Sequence, residues 1–170
     1  MSTYREVVDQ LFRTHSHYVI ANSSAEHASV LYETFFNYAQ NEVRIFCHKL
    51  NPEVFACPNV CDAVEKFLDR KGSLYIAVQE EPQESSKFLE IILNEKYEQQ
   101  VFLWLGKKFQ GKDGKLLNFA VMDSVAYRFE PDQDETQAIA SANDPSFARK
   151  LVQAFQNQIS AEALETAATA

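Results

Sequence analysis

Hydrophobic residues in the first two thirds of the chain alternate between a helical and an extended spacing. Apolar stripes at helical spacing are followed by short, continuous apolar runs such as SLYIAV and VFLWL, which are typical of buried strands. Strands are therefore predicted in the segments His17–Asn22, Glu42–Leu50, Ser73–Glu80 and Gln100–Gly106. Because helical segments separate these strands, the pattern predicts a largely parallel sheet with helices on both faces.

Polar residues at the start of the apolar stripes indicate where the helices begin. Ser23 or Ser24 can cap the second helix, and Asn59 can cap the third. A further helix is predicted between Pro82 and Gln99, because its apolar residues again follow a helical spacing.

The alternation of helices and strands ends after Gly106. The stretch LLNFAVMDS (Leu116–Ser124) predicts a buried strand that ends in a tight acidic turn at Asp123 and Ser124. VAYRFEPD follows as a returning strand, and Thr136–Asn143 is predicted as one more. Asp144 is expected to cap a closing helix, with Pro145 as its first residue.

A chain of 170 residues has the size of one domain. We divide it into an N-terminal helix (1–16), an α/β domain (17–159) and a flexible C-terminal tail (160–170), whose small and polar residues favour fraying. The predicted fold class is α/β, with a single, mostly parallel mixed sheet flanked by helices.

The C-terminal third of the sequence resembles one half of a phospholipase D domain. The motif of that family is a His-x-Lys pair, an Asp after four more residues, and a later Gly-Ser-x-Asn segment. Asp123 falls at the family's Asp, and Ser141 and Asn143 fall at its Ser and Asn. Counting back from Asp123 places the family's His at Leu116 and its Lys at Asn118. The resemblance implies a phospholipase D-like half-domain whose motif is incomplete.

The two replaced positions carry the chemistry of the family. Its His attacks phosphorus as a nucleophile, and its Lys offsets the charge on the phosphoryl oxygens. Leu116 has no lone pair, Asn118 has no charge, and no His follows His48 in the sequence. The resemblance therefore implies a vestigial site with no catalytic residue. Active members pair two half-domains, so it also implies a homodimer through the face that carries Asn118, Asp123 and Ser141.

Composition restricts the expected partners and the compartment. A net charge of -8 repels phosphate backbones, so nucleic acid is not an expected partner. Three Cys without the spacing of a disulfide framework fit a reducing compartment. The N-terminus does not resemble a signal peptide, and no apolar run approaches the roughly 18 residues that a membrane span needs. We expect a cytoplasmic protein that does not contact a membrane.

Three other groups of residues are candidate metal sites. Cys47, His48, Cys57 and Cys61 could bind zinc, but neighbouring residues on a strand point to opposite faces, which favours buried thiols. Histidines 15, 17 and 27 could form a cluster, and Asp132, Asp134 and Glu135 could hold a cation, although a solvated surface is the more common arrangement. No metal is predicted, and the absence of a Gly-rich loop argues against a nucleotide cofactor.

These observations favour a protein without catalytic activity. The leading hypothesis is a cytoplasmic interaction or regulatory module that reuses the phospholipase D-like fold as a homodimer. One alternative is an acidic binder, similar to immunity proteins or antitoxins, whose acidic loops cover a basic protein partner. A second alternative is a phosphodiesterase or nuclease with a non-standard site.

Overall fold

A computed structural model describes residues 1–106, 118–131 and 137–169, with side chains up to residue 160. In chain order, the elements are α1 (Tyr4–Arg13), β1 (Val19–Asn22), α2 (Ala25–Tyr38), β2 (Glu42–Cys47), α3 (Pro52–Phe55), α4 (Pro58–Asp69), β3 (Ser73–Val78), α5 (Lys87–Ile92), a 3-10 turn (Glu95–Tyr97), β4 (Val101–Leu105), β5 (Asn118–Met122), β6 (Ala126–Glu130), β7 (Ala138–Ser141) and α6 (Pro145–Thr169). None of the helices in these ranges is both long enough and apolar enough to cross a lipid bilayer. The division into an N-terminal helix, a central domain and a flexible tail stays a prediction.

The strands form one seven-stranded sheet in the order β1-β7-β6-β5-β2-β3-β4. The predicted mixed sheet flanked by helices is confirmed, but less of it is parallel than the sequence pattern suggested. Among the described strands, only the β2–β3 and β3–β4 pairs are parallel, and the other four pairs are antiparallel. The reason is that crossover helices connect β2, β3 and β4, whereas a tight turn connects β5 to β6 and makes that pair antiparallel.

The two faces of the sheet are covered unequally. Helices α1 to α5 pack on one face and build the larger core, which contains Phe35, Phe36, Phe67 and Phe88. Among the described elements, α6 is the one that packs on the other face, where it contacts β2, β5 and β6. We call these the five-helix face and the α6 face.

Local capping explains where most of the helices begin. Ser24 caps α2 by accepting a hydrogen bond from the His27 N–H, as predicted. The Asp144 carboxylate accepts one from the Phe147 N–H at 3.1 Å and starts α6, also as predicted. The expected cap at Asn59 is wrong, because Pro58 occupies the first turn of α4 and Cys57 is the cap residue. The helix predicted between Pro82 and Gln99 is shorter than expected and is restricted to α5 and the 3-10 turn.

Candidate functional site

Asp123 lies in the turn between β5 and β6 and fastens that turn to the start of β2. Its Oδ1 accepts hydrogen bonds from the N–H groups of Asn41 (2.9 Å) and Glu42 (2.8 Å), and its Oδ2 accepts one from Gln40 (2.7 Å). Asp123 and Ser124 both have positive φ, at 50° and 57°, as the two central residues of a tight hairpin turn require. The carboxylate is therefore committed to the backbone, and its position is structural.

Ser141 and Asn143 lie near this same end of the sheet. Ser141 is 1% exposed, and its Oγ accepts a hydrogen bond from the Asn143 N–H at 3.3 Å. The Asn143 side chain donates to the His15 carbonyl oxygen at 3.1 Å and ties the loop after α1 to the sheet. Both side chains satisfy nearby polar groups, as Ser and Asn often do at the ends of strands.

Asn118 lies at the opposite end of β5. It pairs with Glu130, whereas the Asp123 turn follows Met122, which pairs with Ala126. Five residues of extended strand separate Asn118 from Asp123 by about 16 Å. Leu116, the other replaced motif position, lies outside the described residues. The structure does not bring the four described motif positions into one site, and Ser141 is buried.

A cavity of about 350 Å³ opens at the Asn118 end of the sheet, on the five-helix face. Its lining comes from α2, from the end of β2 and the loop after it, from α3 and from the β5–β6 pair: Tyr32, Cys47, His48, Lys49, Asn51, Phe55, Asn118, Arg128 and Glu130. Asn118 shapes the rim, because its Oδ1 accepts a hydrogen bond of 2.7 Å from the His48 N–H. This volume lies within the range of small-molecule sites.

Arg128 is the central charge of this cavity. It is 7% exposed, and its Nη2 contacts Glu130 Oε2 at 3.1 Å. Its guanidinium lies 5.8 Å from the centre of the Tyr32 ring, within the range of a cation–π contact. Arg128 and Glu130 alternate along β6 and so point to the same face, which places an ion pair inside the fold.

The Tyr32 phenol and the Cys47 thiol, both near Arg128, stay protonated at neutral pH. Burial raises the pKa of the Tyr32 phenol to about 12, although the charge of Arg128 opposes the shift. Burial likewise raises the pKa of the Cys47 thiol to about 12, again against the effect of Arg128. Tyr32 can therefore donate a hydrogen bond at neutral pH, and Cys47 is a poor nucleophile.

Sequence reasoning missed Arg128 and Tyr32. The signal for Arg128 is present, because VAYRFEPD places Arg128 and Glu130 two residues apart on one face of a strand whose other residues are mostly apolar. A charged pair at such spacing indicates a buried ion pair. Nothing in the sequence places Tyr32 beside Arg128, since their contact depends on how α2 packs on the sheet.

The four candidate zinc ligands do not converge. Cys47 and Cys61 are buried, and the Sγ atoms of Cys57 and Cys61 donate to backbone carbonyl oxygens. His48 Nε2 lies 3.2 Å from Glu80 Oε2. Within the described ranges, no three His, Cys, Asp or Glu side chains are placed to hold a metal ion.

The histidines near the N-terminus contact different partners. His27 stacks on Tyr4 with ring centroids 3.7 Å apart, whereas His17 stacks on the exposed Tyr18. The acidic trio of Asp132, Asp134 and Glu135 lies outside the described residues.

The two environments of Cys47 and Cys57 predict different reactivity. At pH 8, we expect iodoacetamide to alkylate the half-buried Cys57 in the folded protein and to leave Cys47 unmodified. The reagent needs a thiolate, and Cys47 ionises only as the pH approaches its raised pKa of about 12. Peptide mass spectrometry checks the result, with the urea-unfolded protein as the control in which every Cys reacts. Equal labelling of the two residues in the folded protein would contradict the buried position of Cys47.

Comparison with solved structures identifies the fold. Nuc from Salmonella typhimurium, described as a phospholipase D family member, matches with a TM-score of 0.57 and 15% identity over 84% of this chain and 94% of its own. NucT from Helicobacter pylori matches with a TM-score of 0.58 and 14% identity over 84% of this chain and 94% of its own. TrmBL2, an archaeal chromatin protein described as binding DNA, matches with a TM-score of 0.62 and 18% identity over 89% of this chain and 56% of its own.

The chain therefore has the fold of a phospholipase D-like half-domain, as its sequence suggested. It covers nearly the whole of Nuc and NucT, but only about half of TrmBL2. No family model matches the sequence, and no curated protein matches it. At these identities the likeness defines the fold, and the function has to be argued from the residues of this chain.

Proposed function

We propose that this chain is a non-catalytic phospholipase D-like protein, which acts in the cytoplasm as an interaction or regulatory module and functions as a homodimer. The observation that carries this proposal is that the Asn118 side chain forms a hydrogen bond to the backbone. Its amide oxygen holds the His48 N–H at the rim of the cavity, where the family motif has a cationic Lys. A neutral, structurally engaged amide cannot offset the charge of a phosphoryl group.

The single histidine among the described lining residues of the cavity also argues against phosphodiester cleavage. Among the described residues that line the cavity, His48 is the one histidine, and its Nε2 faces Glu80 Oε2 at 3.2 Å. A histidine that contacts a carboxylate can be a base, but nucleophilic catalysis in this superfamily needs a second His as general acid. Cys47 offers no alternative nucleophile, because its thiol is buried and protonated.

Self-association is supported by an exposed apolar patch at the β1 edge of the sheet. Val19 is 54% exposed and Ile139 on β7 is 39% exposed. Val19 lies opposite Ser141, and Ile139 lies opposite Ala21, so both side chains belong to the α6 face. Among the described strands β1 also lies at an edge of the sheet, and a second copy can pair with such an edge.

We expect Val19→Asp to weaken the homodimer at least tenfold, because it places a charge in the apolar patch. Leu93→Asp is the matched control, since Leu93 is similarly exposed (62%) but follows α5, on the opposite half of the sheet. Light scattering over a concentration series measures both variants beside the wild type. A dimer that survives Val19→Asp, or is lost equally in Leu93→Asp, would place the interface elsewhere.

Turnover is tested separately on the wild-type protein with a chromogenic phosphodiester. The proposal expects no release of the chromophore above the rate of a heat-denatured sample. Turnover that persists in a chelator and is lost in His48→Ala would instead identify a phosphodiesterase with a non-standard site. A monomer without turnover would remove the homodimer from the proposal and favour the acidic binder of a basic protein.

A further inference from the structure

Arg128 is one of the buried side chains that keep an unpartnered hydrogen-bonding atom. Among the described residues, four buried side-chain atoms have no hydrogen-bond partner: Tyr4 Oη, Asn22 Nδ2, His27 Nδ1 and Arg128 Nε. The Arg and Asn atoms can only donate, and the Tyr and His atoms can donate as well. An unpartnered buried donor is costly, and of these four residues Arg128 is the one that lines the cavity, so the case for an acceptor in the cavity rests on its guanidinium.

Two of these four residues stack on each other, and the other two lie on strands that both pair with β7. Tyr4 stacks on His27, and burial raises the pKa of Tyr4 to about 12, a shift that the charge of Arg128 opposes. Asn22 lies opposite Ala138 of β7, and Arg128 lies opposite Ala140 of the same strand. Since residues two apart on a strand share a face, Asn22 and Arg128 point to the same side of the sheet.

Arg128 connects this buried region to the open cavity, because it also lines the cavity. Glu130 engages its Nη2 and its Nε is buried, so an anion in the cavity would meet the remaining Nη N–H donors of the guanidinium. Lys49 adds a second positive charge at the exposed mouth, so cationic groups outnumber the Glu130 carboxylate among the lining residues. The aromatic rings of Tyr32 and Phe55, with centroids 4.6 Å apart, provide an apolar wall.

We propose that this cavity binds a small organic anion, whose oxyanion accepts hydrogen bonds from Arg128 and whose apolar part packs against Tyr32 and Phe55. The shared chemistry is a carboxylate or phosphate oxyanion on a compact apolar group. Arginine suits both oxyanions because its planar guanidinium presents parallel N–H donors. The site is built from α2, α3 and β6 side chains and does not depend on self-association.

Calorimetric titration of the 170-residue protein with benzoate and phenyl phosphate tests this proposal. Benzyl alcohol, which has the ring without the charge, is the control ligand. We expect at least one anion to bind saturably and benzyl alcohol to give no binding. The stronger of the two anions tells whether the oxyanion is a carboxylate or a phosphate. Absence of binding by both anions would overturn the proposal, as would equal binding of benzyl alcohol.

Two variants locate the binding. Arg128→Met is expected to weaken the anion roughly tenfold or more, the scale of a lost hydrogen bond to a charged group. Because this change leaves Glu130 without its partner and can unfold the protein, Lys49→Gln is the second variant, with an expected loss of about threefold. Lys87→Gln is the matched control, since Lys87 is a well-exposed Lys outside the cavity lining. An unchanged affinity in Lys49→Gln, or the same loss in Lys87→Gln, would place the anion outside this cavity.

The outcome is independent of the tests of the homodimer and of turnover. Titration reports on the cavity alone, light scattering reports on the β1 edge, and the phosphodiester assay reports on catalysis. A monomeric protein that binds the anion would retain this inference while losing the homodimer.

Discussion

Replacing Phe155 by alanine is expected to lower the free energy of unfolding by about 3–5 kcal/mol, the usual range for a buried Phe. Phe155 is 1% exposed and lies where α6 meets the sheet. Its ring makes edge contacts with Trp104 and Phe46 at centroid distances of 6.0 and 6.3 Å, and the Arg44 guanidinium lies 5.7 Å from it. Truncation leaves a cavity between helix and strands that the rigid sheet cannot close.

Urea denaturation followed by circular dichroism measures this loss. Gln156→Ala is the matched control, because Gln156 is the next residue of α6 and is exposed. Its effect is expected to stay within about 0.5 kcal/mol. If Phe155→Ala and Gln156→Ala differ by less than about 1 kcal/mol, α6 does not hold the core of the α6 face as described.

Asp123→Ala is expected to cost about 3 kcal/mol of folding free energy, although no catalytic role is assigned to this residue. The change removes a carboxylate that accepts three backbone hydrogen bonds. Two of these bonds are exposed, so water can take their place, and the expected loss is about that of one hydrogen bond to a charged group, roughly 1.5–3 kcal/mol. Alanine at a φ of 50° adds roughly 1 kcal/mol of backbone strain. The structure therefore indicates a larger loss than that of one ordinary hydrogen bond.

Two companion variants separate these contributions. Asp123→Gly removes the carboxylate but tolerates the positive φ, so it is expected to be about 1 kcal/mol less destabilising than Asp123→Ala. Asp123→Asn keeps one acceptor oxygen and a residue that accepts left-handed backbone, and is expected to be the mildest change. Urea melts of the three variants give the order Ala, Gly, Asn from most to least destabilised. Wild-type stability in Asp123→Ala would refute the structural role of the carboxylate.

Sequence patterns predicted the elements well where one face of each element is buried. The runs SLYIAV and VFLWL became β3 and β4, and continuous apolar residues suit β3, which lies inside the sheet. The expected burial of VFLWL is wrong, because β4 is the edge strand and none of its residues is fully buried. Strand direction was harder to predict. The alternation of elements correctly indicates parallel pairing for β2, β3 and β4, but it is wrong for β1, which pairs antiparallel with β7. It says nothing about how the last three strands join that unit.

The candidate site was predictable only in part, because its contacts join residues far apart in the chain. The motif comparison selected Asp123, but its partners are the backbone groups of residues 40–42, which no local pattern identifies. The same comparison grouped Asn118 with Ser141 and Asn143, although the register of β5 and β6 puts them at opposite ends of the sheet. The Arg128 cavity depends on the packing of α2 and α3, which a sequence pattern does not specify.

The pairing of β1 with β7 has a consequence for how the protein is made. Val19 pairs with Ser141, so β1 finds its partner only after the more than one hundred residues between these two strands have been translated. Until then, β1 and the edge of β6 that later receives β7 both present unpaired backbone groups. Sheet closure is therefore a late step during synthesis, and the nascent chain is open to strand exchange with neighbouring copies until β7 is in place.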